Sequence, residues 1–209
     1  MIGFDEQNRL DNRVTRSIPY EQYFKPMLIS DEQKKERIAF AEKMEEALVF
    51  ILSLIEVTEV FDNYTRVVLM NSFYDRFIRI CKEFDITDDV MTLYMLEASQ
   101  KLINTTIERR EEEYYLSMDR AMFIAENEAN TVLNYKDFVK AKQQGKTKKQ
   151  WLDMKDNRER KTHLRVGGKV IGIDQPFKVG NSEMMYPKDT SLGADDKEIV
   201  NCRCSVKYF

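Results

Sequence analysis

The chain reads D-M-K-D-N-R-E-R-K-T-H from Asp153 to His163, G-G-K-V-I-G-I-D-Q-P-F from Gly167 to Phe177, and N-C-R-C from Asn201 to Cys204. The single His, the single Trp and two of the three Cys lie after Gly145. Most residues that favour turns lie there as well. This change in composition predicts that a compact C-terminal module begins near residue 146.

The preceding part of the chain contains neither Gly nor Pro from Met27 to Gln144. Hairpins and tight turns usually require those residues, so this region is predicted to be mostly helical. Ser30 and Gln33 form a capping-box pattern ahead of an apolar stripe with the helical period, which predicts a first helix over residues 31–57.

Three more helices are expected before residue 146. A second stripe, which includes Val60, Tyr64 and Val67, predicts a helix ending near Phe84, with Cys81 on its buried face. Thr87 is expected to cap a third helix, which continues into the charged run at 108–113 as a solvated face. The fourth is expected to begin near Ser117 and stop at Gly145 after a basic last turn.

The module is predicted to mix helix and strand. Thr147 and Gln150 repeat the capping-box pattern, which predicts a short helix carrying Trp151 packed against the fourth helix. The Gly pair at 167–168 predicts a small hairpin between L-R-V and K-V-I-G-I. A long loop and a closing strand over residues 199–209 should follow. Asp174 and Pro176 indicate a turn before Phe177, which we expect to be buried.

These patterns predict an α+β fold, with a mainly helical body and a small C-terminal α+β module made of a short hairpin and a closing strand. The predicted boundaries are 1–29 for an irregular N-terminal arm, 30–145 for the helical body and 146–209 for the module. The arm is expected either to dock through Tyr20, Tyr23 and Phe24 or to stay free until it meets a partner.

The composition restricts the class of protein. A net charge of -3 and a pI near 5.5 argue against extensive nucleic-acid coating, although a local basic patch remains open. The most apolar run, 47–55, is about half the ~20 residues of a membrane span, so no membrane association is expected. The cysteine pattern is not that of a disulfide framework, and it suits a reducing cytosol.

His163, Cys202 and Cys204 are the residue types that zinc prefers. The single residue between the two Cys argues against a usual zinc knuckle, and a fourth ligand would have to be Asp153, Asp156, Cys81 or water. We therefore expect packed or hydrogen-bonded thiols and no cofactor, with a His163, Cys202 and Cys204 zinc site as the alternative.

An enzymatic role is the less favoured interpretation. His163 lies close in sequence to Asp153, Asp156, Arg158 and Arg160, a group suited either to acid–base and phosphate chemistry or to a buried polar network. A Cys–His nucleophilic pair would lack an adjoining Gly-rich oxyanion turn. We expect no catalysis. Asn201 is expected to hold the entry to the closing strand through its side-chain amide.

The order of these residues resembles a known family. R-A-x-x-I-A-x-N-E at 120–128 is followed by Lys149, Trp151, Asp156, Arg158, Arg160 and His163, and then by the terminal N-C-R-C. This set, over roughly residues 118–206, is similar to the Mu protein F-like head-morphogenesis proteins of tailed phages, also called minor head or minor capsid proteins. The chain differs in having Asn127 where the family often has Thr, and in a longer charged loop at 189–198.

The resemblance implies a low-copy virion protein that is made in the host cytoplasm and located in the inner capsid at the portal vertex. Its implied partners are the portal protein and a major capsid or scaffolding protein, and some relatives are linked to DNA packaging or are ejected with the genome. A metal-dependent enzyme built on His163 and the two thiols is one alternative. A DNA-binding module is the other, and its candidate contacts are Lys148, Lys149, Lys155, Arg158 and Arg160.

Overall fold

A computed structural model describes residues 18–156 and 158–209 of the protein. The described helices are α1 (Tyr20–Phe24), α2 (Asp31–Val57), α3 (Asn63–Glu83), α4 (Asp89–Glu108), α5 (Met118–Gln143), α6 (Lys161–Val166) and α7 (Asp196–Ile199), with a 3-10 helix at Glu113–Leu116. The described strands are β1 (Lys148–Leu152), β2 (Val170–Gly172), β3 (Phe177–Val179), β4 (Ser182–Met184) and β5 (Ser205–Tyr208). The helical body and the small strand module confirm the predicted α+β class.

Helices α2 and α5 form the central pair of the body, and one continuous apolar core runs from α1 through both of them into the module. The predicted bounds of α2 are confirmed. Both bonds of the capping box are present, from Gln33 N to Ser30 Oγ at 3.2 Å and from Ser30 N to Gln33 Oε1 at 3.1 Å. Ser117 caps α5 as predicted, by accepting a hydrogen bond from Arg120 N.

Helices α3 and α4 pack on each other and complete the body. Asp88, rather than Thr87, caps α4, because its carboxylate accepts a hydrogen bond from Met91 N at 3.0 Å. Cys81 is buried as expected. The first half of the predicted α3 stripe is exposed instead of buried: Tyr64 is 77% and Val67 51% exposed. Helical period identifies a common face but does not show that a neighbour covers its whole length.

The charged run after α4 does not continue the helix. Helix α4 ends at Glu108, and the following residues form a turn in which Arg109 Nε and Nη2 each lie 2.7 Å from a Glu112 carboxylate oxygen. Arg109 and Glu112, three residues apart, therefore close a turn instead of pairing along a helix.

Part of the expected irregular arm is ordered against the body. Tyr20, Tyr23 and Phe24 on α1 are buried, and the Tyr20 hydroxyl donates to Glu45 Oε2 at 2.6 Å. This confirms docking for the part of the arm after residue 17. The expectation for residues 1–17 lies outside the described residues.

The module contains an antiparallel sheet in the order β2-β1-β5 and a separate β3–β4 hairpin. Trp151 therefore lies on a strand, and the predicted helix around it is wrong, because residues on both sides pair with this segment: Gln150 lies opposite Val170 and opposite Lys207. Within the described residues, no helix combines the length and the apolar character needed to cross a bilayer.

Three further predictions for the module need correction. The first arm of the expected 164–173 hairpin is helix α6, and β2 pairs with β1 instead. The expected long loop contains the β3–β4 hairpin, whose two-residue turn uses Gly180 at a φ of 61°. The closing strand starts only at Ser205, because the preceding segment turns at Asn201, where φ is 55°. Phe177 is buried as expected.

Candidate functional site

The structure brings His163, Cys202 and Cys204 together in one buried cluster. His163 Nδ1 lies 3.4 Å from Cys204 Sγ and 3.5 Å from Cys202 Sγ. His163 is positioned by α6, and the two cysteines lie in the segment that enters β5. Each of the three side chains is only 2% exposed. Asp153, Asp156 and Cys81, the other proposed ligands, are not part of this cluster.

Aromatic and acidic side chains enclose the cluster. The Trp151 ring packs edge-on against both His163 and Phe177, with centroid separations of 5.7 and 5.2 Å. His163 Nε2 lies 3.2 Å from an oxygen of the buried Glu198 carboxylate, although the pair does not have hydrogen-bond geometry. On the opposite side of the imidazole, Glu159 Oε1 lies 3.8 Å from Cys204 Sγ.

The two thiols differ in acidity. Burial opposes ionisation of Cys202, but the hydrogen bond from Cys204 and the nearby imidazole outweigh it and hold the pKa of Cys202 well below its usual range. The same hydrogen bond, together with burial, holds the pKa of Cys204 well above its usual range. Burial also disfavours the imidazolium, yet the Cys202 thiolate raises the pKa of His163. Without a bound cation, the arrangement favours a thiolate–imidazolium pair.

Three asparagines on α5 hold the N-C-R-C segment. Asn127 Oδ1 accepts a hydrogen bond from Asn201 N at 2.7 Å, Asn130 Nδ2 donates to Cys202 O at 2.7 Å, and Asn134 Nδ2 donates to Cys204 O at 3.3 Å. The spacing of three and four residues places the amides along one helix face. This asparagine ladder, defined as Asn127, Asn130 and Asn134, sets the position of both thiols.

Arg37 supports the asparagine ladder from α2. Its guanidinium is fully buried and donates to Asn130 Oδ1 at 3.3 Å, to Asn134 Oδ1 at 3.0 Å and to Asp137 Oδ2 at 3.0 Å. The bonds orient the two amides so that their NH₂ groups face the N-C-R-C carbonyls. The guanidinium therefore links the centre of the helical body to the cluster.

Replacing Asn130 with Ala should lower the free energy of unfolding by about 1–3 kcal/mol, because the buried Cys202 carbonyl and the Arg37 Nε–H each lose a partner. Urea titration at neutral pH measures this loss. Asn104→Ala is the matched control, since Asn104 accepts a single 3.4 Å bond from Arg66 at a partly exposed position. Equal losses in the two variants would contradict a special role for the asparagine ladder.

The remaining motif residues lie around the cluster. Arg160 Nη2 donates to Val200 O at 2.6 Å, and the largely buried Arg203 pairs with the partly exposed Asp156. Arg158 is exposed. Asn201 holds the strand entry through its backbone N–H, whereas the sequence interpretation used its side-chain amide.

The basic residues suggested for DNA contact do not share one outward surface. Lys148, Lys155 and Arg158 are exposed, whereas Lys149 is fully buried and donates from Nζ to Met185 O at 2.7 Å. Together with the inward bond of Arg160, this removes two of the five candidates from contact with phosphate. Lys149 is buried while its neighbour Lys148 is exposed because β1 places alternate side chains on opposite faces of the sheet.

Lys149 should give the protein a measurable pH dependence. Burial lowers the pKa of Lys149 to about 8, although Asp189 and Asp174 favour its charge and Lys142 opposes it. Between about pH 8 and the usual lysine pKa of 10.5, the unfolded chain binds this proton more tightly than the folded chain does. The stability of the wild type relative to Lys149→Met should therefore rise with pH across this window and be flat below it.

Chemical denaturation of both proteins from pH 7 to 10.5 tests this expectation. Subtracting the stability–pH curve of the variant from that of the wild type cancels the titration of the groups that both proteins share. A difference that stays constant, or that falls as the pH rises, would show that the pKa of Lys149 is not lowered.

The family comparison agrees with this geometry. The family described as Phage Mu protein F like protein matches residues 95–207, a range that contains α5, the cluster and the whole asparagine ladder. Because the match covers more than half of the chain, the chain belongs to this family of phage head-morphogenesis proteins.

Two curated relatives match part of the chain. The chain is 33% identical over 99 residues to NAD(+)-arginine ADP-ribosyltransferase EFV of Enterococcus faecalis, which covers 46% of the chain and 20% of that protein. It is 41% identical over 61 residues to the uncharacterized protein YqbB of Bacillus subtilis, covering 27% and 19% respectively. The chain thus spans about a fifth of the length of each relative. No solved structure matches it.

Sequence reasoning missed the residues that support the cluster. The asparagine ladder gave a usable signal, since Asn127, Asn130 and Asn134 recur at helical spacing in a helix that also carries the apolar Ala129, Val132 and Leu133. Arg37 was a similar signal, next to the apolar stripe of α2. Glu198 gave none, because its proximity to His163 depends on how the loops fold.

Proposed function

We propose that the chain is a minor head protein that assembles into the capsid at the portal vertex in few copies. It would contact the portal protein and a major capsid or scaffolding protein, and it would remain in the inner capsid of the virion. The observation that carries this proposal is the family match over residues 95–207, which includes the buried cluster and the helix that holds it.

An exposed apolar surface on the helical body supports contact with other head components. Tyr64, Val67 and Val68 lie at helical spacing at the start of α3 and are 77%, 51% and 46% exposed, and Val60, in the segment just before the helix, is 66% exposed. Contiguous exposed apolar residues commonly mark protein–protein contacts. We refer to these four residues as the α3 apolar face and propose that the portal protein binds there.

Association with the portal protein of the same phage tests the proposal. Sedimentation velocity of the mixed proteins should show a complex with the wild type, and Tyr64→Ser with Val67→Ser should weaken it at least tenfold. Leu164→Ser, which alters an exposed apolar side chain on α6, should have no effect. No complex of the wild type with the portal, capsid or scaffolding protein would refute the proposal.

We also propose that the chain is not an enzyme. The cluster residues that could act as nucleophile and base are each 2% exposed, so a substrate has no direct access to them. The ADP-ribosyltransferase name belongs to a protein of which the chain spans 20%. Labelled NAD⁺ incubated with the protein and a host extract should therefore give no labelled product, and transfer that depends on His163 or Cys202 would overturn this part of the proposal.

A further inference from the structure

We propose that the cluster is a structural zinc site, in which His163 Nδ1, Cys202 Sγ and Cys204 Sγ bind the ion and Glu159 supplies the fourth ligand. The inference is independent of the role at the portal vertex. It rests on the distances between the ligand atoms, on the carboxylate behind the imidazole and on the position of Glu159.

The distances match tetrahedral coordination. Zinc bonds of about 2.3 Å to sulfur and about 2.05 Å to nitrogen place neighbouring sulfur and nitrogen ligands about 3.5 Å apart. The observed separations from His163 Nδ1 to the two sulfurs are 3.4 and 3.5 Å, and all three atoms lie within 4.8 Å of one another. The three atoms can therefore reach one ion without moving the backbone.

Hydrogen bonding alone accounts less well for this arrangement. Nδ1 has one proton or one lone pair, so it can form a full hydrogen bond to only one of the two sulfurs, although both lie at nearly the same distance from it. An ion between the three atoms would bind each of them. The C-x-C spacing is compatible with this geometry, because both sulfurs lie within 3.5 Å of the same ring nitrogen.

The other nitrogen of the imidazole faces a carboxylate. His163 Nε2 lies 3.2 Å from Glu198 Oε2, and the Thr162 hydroxyl donates to the same oxygen at 2.7 Å. Histidines that bind a metal usually direct their second ring nitrogen toward a carboxylate or carbonyl, which fixes the ring orientation. Glu198 is 3% exposed and occupies this position.

Glu159 is the candidate for the fourth ligand, and its carboxylate must turn toward the ion, because it lies outside the group of three ligand atoms that are within 4.8 Å of one another. Its Oε1 is 3.8 Å from Cys204 Sγ, close to the roughly 3.5 Å that separates oxygen and sulfur ligands of a tetrahedral zinc ion. Its Oε2 accepts a hydrogen bond from Lys155 N at 2.8 Å, which holds the carboxylate beside the thiols. Glu159 is partly exposed, so an ion can enter from this side.

Elemental analysis of the full-length protein, purified without chelators, tests the site directly. We expect about one zinc per chain, as for a closed structural site. Cys202→Ser and Cys204→Ser should each lose at least nine-tenths of the metal, and Cys81→Ser, which removes a buried thiol outside the cluster, should retain it. Glu198→Gln should weaken zinc affinity by about 10–100-fold.

Cobalt binding provides a second test that requires no variant to fold. Co²⁺ added to the chelator-treated wild type should produce thiolate-to-cobalt charge-transfer absorption and the intense visible bands of a tetrahedral ion, and Zn²⁺ should displace both. A folded wild type with reduced thiols that neither contains zinc nor gives this spectrum would overturn the proposal. Metal retained at wild-type stoichiometry in both Cys202→Ser and Cys204→Ser would do so as well.

Discussion

Replacing Arg37 with Met should lower the free energy of unfolding by about 3–5 kcal/mol, because removing one member of a buried charge network leaves its partners unsatisfied. Methionine retains most of the apolar volume of the arginine stem, so the loss should reflect the guanidinium bonds. Asp137, which is 17% exposed, would lose its ion pair, and the Asn130 and Asn134 carbonyls would lose their donor.

Guanidinium chloride titration, followed by the fluorescence of Trp151 and by circular dichroism, measures this loss. The matched control is Lys101→Met, which breaks the Lys101–Asp196 pair, whose side chains are 41% and 40% exposed. Exposed pairs contribute about 0–1 kcal/mol, so the control should unfold almost like the wild type. If the loss for Arg37→Met is as small as the loss for the control, the guanidinium bonds do not stabilise the helical body.

Replacing Trp151 with Ala should cost about 3–5 kcal/mol, the usual range for removing a large buried aromatic side chain. Trp151 has no exposed surface and packs against the His163 and Phe177 rings. The cavity would open between β1, α6 and β3, so the loss should also loosen the thiol–imidazole cluster.

Circular dichroism must follow the unfolding of Trp151→Ala, because the chain has no second tryptophan. Trp151→Phe should recover part of the stability by retaining the edge-on ring contacts. Tyr64→Ala serves as the control at a 77% exposed position and should change stability by no more than about 0.5 kcal/mol. Similar losses for Trp151→Ala and Tyr64→Ala would contradict the assignment of Trp151 to the module core.

The sequence predicted the helices well where local signals determine their ends. Ser30 with Gln33 set the start of α2, and Ser117 set the start of α5, because a cap bonds backbone groups only a few residues away. The module was predicted less well. The local pattern of Thr147 and Gln150 favoured a helix, but pairing with residues 169–172 and 205–209 stabilises a strand there.

The residues of the candidate site were identified from their side-chain chemistry, because their spacing along the chain does not match a usual zinc motif. His163, Cys202 and Cys204 were the residues a metal would select, yet their proximity depends on the turn at Asn201 and on the asparagine ladder, which joins positions 70 to 74 residues apart. No local pattern encodes contacts of that range. The same reason explains why Glu198 and Arg37 could not be assigned to the site from the sequence.

The hydrogen bonds from α5 to the N-C-R-C segment restrict where the genes of related phages can recombine within this protein. A recombination junction at Gly145, where the composition changes, would separate the two thiols from the amides that position them. A junction before Ser117 would transfer α5 and the strands as one inherited block. Viable chimeras of these head proteins should therefore have their crossovers on the N-terminal side of α5.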